Sequence, residues 1–218
     1  MGTRLCLLGA TVGALAAFLA GCGGGSARPA FDAEAALAES WTFFETRDYA
    51  AAREDFLLVL DQVPGQPEAL RGLGWCYAWL DSLPQAQTTL SAALVAEPGA
   101  ADAHAGLAAV SHLENDGPAA IAHADSVLLA SPRYVFAHDS TVTWEDLRVL
   151  IAQSAYYEGD FTRALAEVDS LTEGPIPDPD APTFVTDLME AIIALASEYG
   201  GLDLGAPRPV VSAGPMLP

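Results

Sequence analysis

The residues best equipped for chemistry are few and scattered. His138-Asp139-Ser140 carries the residue types of a nucleophilic triad. Three adjacent side chains point in different directions, however, and cannot relay a proton to one another, so the tripeptide reads as a loop or a helix start. His104, His112 and His123 are spread over one expected helical pair, and His104 takes a packing position. Neither Cys-x-x-Cys nor His-Glu-x-x-His occurs, so no zinc motif is written in the chain. Gly72-Leu73-Gly74 lies inside a helical pattern and reads as a packing feature rather than a phosphate loop. Cys76, set in an apolar helical run, reads as a small buried hydrophobe. Catalysis and a bound cofactor are therefore not expected, and attention moves to what the rest of the chain builds.

The chain has 218 residues, 51% of them hydrophobic, with 29 acidic residues against nine basic ones, all arginine. A net charge of −20 repels phosphate backbones and anionic headgroups, which excludes nucleic acid as a partner and a basic patch as a membrane attachment. Abundant alanine favours close-packed helices over a sheet. At the N-terminus one arginine, Arg4, precedes an apolar stretch from Leu5 to Leu19 that is too short and too rich in small residues for a comfortable membrane span. It ends Leu19-Ala20-Gly21-Cys22, followed by Gly23-Gly24-Gly25-Ser26. These residues resemble the lipobox of bacterial lipoproteins at all four positions. The resemblance implies a signal peptide over 1–21, cleavage before Cys22, and lipid on its sulfur as the membrane anchor. Residues 22–32 then act as a flexible tether. An uncleaved anchor helix, or a secretory leader with a coincidental cysteine, are the alternatives. Gly23 in place of Asp favours the outer membrane over the inner by analogy with enteric bacteria.

An internal period organises the rest. Pro64, Pro98 and Pro132 stand 34 residues apart, and the same interval joins Ala52, Ala86 and Ala120, and again Val59, Ala93 and Val127. Copies run from Ala33 to Gln66, from Pro67 to Ala100 and from Ala101 to Tyr134. The second is the fullest, with Leu70, Leu73-Gly74, Tyr77, Ala86, Leu90, Ala93 and Pro98. In this pattern the chain resembles the tetratricopeptide-repeat (TPR) family. A diverged fourth copy starts near Glu145 and carries Gly159-Asp160-Phe161 and Ala164. Between copies three and four, residues 135–144 are either a loop or a helix extension. The expected fold is an all-α solenoid of helix-turn-helix units over 33–172. A Pro-rich linker follows over 173–182, then a capping helix over 183–200, and a disordered tail over 201–218.

The resemblance also implies a function. First helices of such repeats line a concave groove, and the positions matching its ligand-facing set include Trp41, Phe44, Arg71, Trp75, Trp79 and His112. Aromatic residues and arginine are enriched at interface hot spots, so the expectation is a groove for a protein or peptide partner with apolar anchors. The alternative is that other parts of the chain cover these aromatics. Only Arg71 matches the basic clamp with which chaperone-binding members hold a terminal carboxylate. The whole then reads as a lipid-anchored interaction scaffold facing the periplasm, in an envelope assembly or secretion complex, with a solute- or glycan-binding protein as the runner-up.

Overall fold

Aspartate and the 34-residue period set the helix boundaries. The computed structural model describes residues 31–199 and Leu202. Residues 1–21, Cys22 and most of its tether, Gly200, and all of the tail except Leu202 lie outside that range. The first three repeats are the helix pairs α1 (Ala33–Glu45) and α2 (Tyr49–Gln62), α3 (Pro67–Trp79) and α4 (Leu83–Ala96), and α5 (Ala101–Leu113) and α6 (Gly117–Ala130). Asp32, Asp48 and Asp116 cap α1, α2 and α6, each accepting a bond of 3.1 Å from the backbone N–H three residues on. Between the helices of each pair the chain passes through the left-handed region at Arg47, Asp81 and Asn115, again 34 residues apart. In the fourth repeat Gly159 takes that place, ten residues later than the period alone would put it.

Small residues sit where helices of neighbouring repeats cross. A Cβ on Gly72 would lie 2.1 Å from Cζ of Phe56, and one on Gly106 would lie 2.8 Å from Cδ1 of Leu90. Phe56 and Leu90 are themselves one period apart and fully buried, so one packing contact is made twice along the stack.

The fourth repeat is α7 (Trp144–Tyr157) and α8 (Phe161–Leu171), and α9 (Phe184–Tyr199) follows the proline-rich segment. Helix α9 lies across α7 and α8, more on α7, and buries Leu188, Ile192 and Leu195 against Val149, Ala152, Ala164 and Val168. The chain thus folds as an all-α, TPR-like helical solenoid closed by a C-terminal helix.

The ten extra residues are neither a loop nor a helix extension. Strands β1 (Val135–Phe136) and β2 (Asp139–Thr143) form an antiparallel hairpin around Ala137-His138, with Phe136 paired to Asp139 and Val135 to Thr143 across a bulge. Thr143 then starts α7 through a capping box. Its backbone N–H and its hydroxyl each donate to Oδ2 of Asp146 at 2.8 Å.

Candidate interaction surface

The inner face is built from α1, α3 and α5, and its aromatic residues converge on one point. Trp41 and Phe44 come from α1 and Trp75 from α3, and they are 5%, 1% and 0% exposed. What covers them is the hairpin. The ring of Phe136, itself fully buried, stacks on Trp75 with centroids 4.8 Å apart, and it meets Phe44 and Trp41 edge-on at 5.9 and 6.2 Å. His138 lies flat on Trp41, with centroids 3.6 Å apart and planes 3° from parallel, and its Nδ1 is 2.9 Å from Oε1 of Glu45. An element that joins the third repeat to the fourth therefore reaches back onto the first and second.

Polar atoms under the hairpin are partnered across repeats. The indole N–H of Trp41 donates to Oε1 of Glu68 at 2.9 Å, and that of Trp75 to the carbonyl of Asp102 at 3.0 Å. Tyr134, which leads into β1, donates its hydroxyl to Oδ1 of Asp102 at 2.8 Å. Burial, and after it the Asp102 charge, push the Tyr134 phenol well above its ordinary range, so it stays a donor at every relevant pH.

The other groove residues have different surroundings. Trp79 is half-buried and stacks on Tyr49, with centroids 5.4 Å apart. The Trp79 indole N–H and the Tyr49 hydroxyl are both buried without a hydrogen-bond partner. Arg71 is half-buried in an ion pair with Glu97. Nδ1 of His112 is 2.9 Å from Oγ of Ser154 on α7. The six residues expected to form one open set are thus divided. Trp41, Phe44 and Trp75 are core beneath the hairpin, while Arg71, Trp79 and His112 stay partly accessible. The expectation of bare aromatic anchors gives way because another segment of the same chain, led by Phe136, fills the space first.

Cys76 is fully buried, and burial pushes its thiol up to about 12. His138, Asp139 and Ser140 lie at the hairpin tip. His138 is held by Trp41 and Glu45, and Oδ1 of Asp139 accepts from the backbone N–H and the hydroxyl of Thr141 at 3.1 and 2.6 Å. Among the described residues no group of three His, Cys, Asp or Glu side chains is placed to hold a metal ion, and no helix is long and apolar enough to cross a membrane.

The fold and the repeat agree with known proteins. The tetratricopeptide repeat family matches over residues 43–110. No curated protein matches the chain significantly. Solved structures of the same fold include a MamA double mutant (RS-1 ArsTM), 13% identical, aligned over 76% of this chain and 95% of that one with a TM-score of 0.58. TTC0263, a thermophilic TPR protein of Thermus thermophilus, is 18% identical over 74% of this chain and 82% of its own, with a TM-score of 0.52. A mutant O-GlcNAc transferase of Thermobaculum terrenum is 20% identical over 69% of this chain but only 28% of its own, with a TM-score of 0.53. At these identities the likeness is one of fold. TPR-like solenoids offer an extended inner surface, which makes them platforms for protein or peptide partners.

Proposed function

We propose that the chain is a lipid-anchored scaffold of the cell envelope. In this reading acyl chains on Cys22 hold it to a membrane, the outer in preference to the inner, and the solenoid faces the periplasm. There it holds a protein partner within an assembly or secretion complex. The sequence Leu19-Ala20-Gly21-Cys22 and the glycine tether behind it support the anchor. The observation that carries the binding role is the seating of the hairpin. The inner face already grips an extended segment by an aromatic side chain, Phe136, and a stacked ring, His138. The partner meets the inner face as the hairpin completes it, through Val135, 51% exposed, and the half-buried Trp79, Arg71 and His112.

Capture from detergent-solubilised envelopes tests this, with the lipidated mature chain as bait beside Val135→Glu and Cys22→Ser. Replacing Trp75 would test folding, since that residue is core. A partner retained by the parent and lost by Val135→Glu supports the surface. Equal retention by both moves the interface elsewhere. Release of Cys22→Ser from the membrane fraction, with loss of palmitate labelling, supports the anchor, and unchanged membrane retention refutes it.

A further inference from the structure

The third repeat carries a feature that its neighbours lack. His104 on α5 and His123 on α6 face each other across the helix pair, with their Nδ1 atoms 3.0 Å apart. One period earlier the same two places hold Leu70 and Thr89, and one period before that Ala36 and Asp55. In the first two repeats an aliphatic or small side chain stands opposite a polar one, and in the fourth, ten residues further on, Arg148 is paired with Glu167, so the framework does not require two imidazoles. Both are half-buried and within reach of solvent.

The hydrogen bonds fix which nitrogens are free. Nε2 of His104 is 3.2 Å from the carbonyl oxygen of Pro98, an acceptor only, so Nε2 carries the proton and donates it. Nδ1 of His104 is then a bare lone pair aimed at His123. A ligating imidazole is commonly set in this way, with its far nitrogen donating to a backbone carbonyl and its near nitrogen open. Two nitrogens 3.0 Å apart, each about 2.0 Å from a shared ion, subtend an angle of about 97° at it. That is nearer the right angle between adjacent ligands of a tetragonal site than the tetrahedral angle, and imidazole nitrogens in a tetragonal site suit Cu2+, with Ni2+ and Zn2+ behind it.

We infer that His104 and His123 form a two-nitrogen chelate for a divalent transition metal, Cu2+ above Zn2+. The ion takes the place of the proton now shared between the two Nδ1 atoms. His123 moves that proton to its own Nε2, so both rings stay neutral and no proton is lost from the pair. Burial, and after it the neighbouring His104, lower the proton affinity of His123 against the opposing pull of Asp116. The protein's net charge of −20 draws cations toward the site. No third protein ligand joins the pair among the described residues, so water or a donor from a partner fills the remaining positions.

The test is metal titration of the untagged full chain with Cu2+ and with Zn2+, read by calorimetry and, for Cu2+, by electron paramagnetic resonance. The variants His104→Leu and His123→Thr install the residues that the second repeat carries at the same places, and circular dichroism checks that each folds. One equivalent bound with nitrogen hyperfine coupling, and affinity lowered at least tenfold by each variant alone, supports the chelate. Cu2+ binding tighter than Zn2+ supports the ordering. Binding that either variant leaves unchanged, or that His138→Ala removes equally, overturns it. So does a parent chain that takes up no more metal than the double variant.

Discussion

The inner face of the first two repeats and the open end of the fourth pose the same problem and are closed by different means. At the fourth repeat, α7 and α8 would leave Val149, Ala152 and Val168 facing water, and the next stretch of chain, α9, covers them. Its contacts are with the two helices that immediately precede it in the chain. The inner face of α1 and α3 is covered by the hairpin, which belongs between α6 and α7, so Phe136 meets Trp41 and Phe44 some ninety residues away. In the third repeat the place of Trp41 and Trp75 is taken by Ala109, which is small and needs no such cover. A repeat array is ordinarily a chain of nearest-neighbour interactions. The hairpin adds one long-range tie, so the N-terminal half should behave cooperatively where the C-terminal half behaves locally.

The sharpest way to break that contrast is Phe136→Ala. The ring is fully buried among three aromatics, so its loss should cost about 3–5 kcal/mol. Native-state hydrogen exchange should quicken in α1 and α3, remote in sequence from the substitution, and the fluorescence of Trp41 and Trp75 should shift to the red as water reaches them. Faster exchange confined to α6 and α7 would mean the hairpin is no tie at all. Ile192→Ala is the counterpart at the other closure, where the side chain is 2% exposed and the cost should be about 2–4 kcal/mol. Its faster exchange should stop at α7, α8 and α9, and spread to α1 would erase the difference between the two halves.

How much of this is legible in the sequence follows from the range of the contacts. The helix pairs are legible because alanine, glycine and proline recur at a fixed interval, and α9 because Phe184, Leu188, Ile192 and Leu195 recur on one helical face after a proline-rich break. Phe56 against Gly72 is a contact made within one period, and Leu90 against Gly106 is its repeat. The hairpin is not legible. Its one local signal is the β-branched run Thr141-Val142-Thr143, while the residues that hold it, Trp41, Phe44 and Trp75, look like open groove positions when each repeat is considered alone. The residues proposed to meet a partner shift for the same reason, since burial by a distant segment leaves no periodic mark.

Smaller effects test the repeat packing. Gly72→Ala sets a methyl 2.1 Å from the Phe56 ring and should cost about 1–3 kcal/mol by urea denaturation, because a fully buried ring in a packed core has little room to yield. Gly106→Ala meets the end of a leucine at 2.8 Å, which can rotate, and should cost less. Equal costs would show that Leu90 is held as firmly at its crossing as the Phe56 ring is at its own.

The smallest effect separates the turns. Arg47 sits at φ 64° on the exposed corner between α1 and α2, where a side chain with a Cβ is disfavoured by about 1–2 kcal/mol. Glycine removes that cost but brings more entropy to the unfolded chain, so Arg47→Gly should gain only about 0.5–1 kcal/mol. Asn115, at φ 61° one period beyond Asp81, already tolerates this conformation through its short polar side chain, and Asn115→Gly should be close to neutral. Gly159 shows that the fourth repeat has adopted the unstrained solution. The comparison is read as the shift in urea midpoint for each variant against the parent. A gain at Arg47 with none at Asn115 fits turns that differ only in backbone strain. A loss at Arg47 would mean that its guanidinium, rather than its backbone, decides that corner.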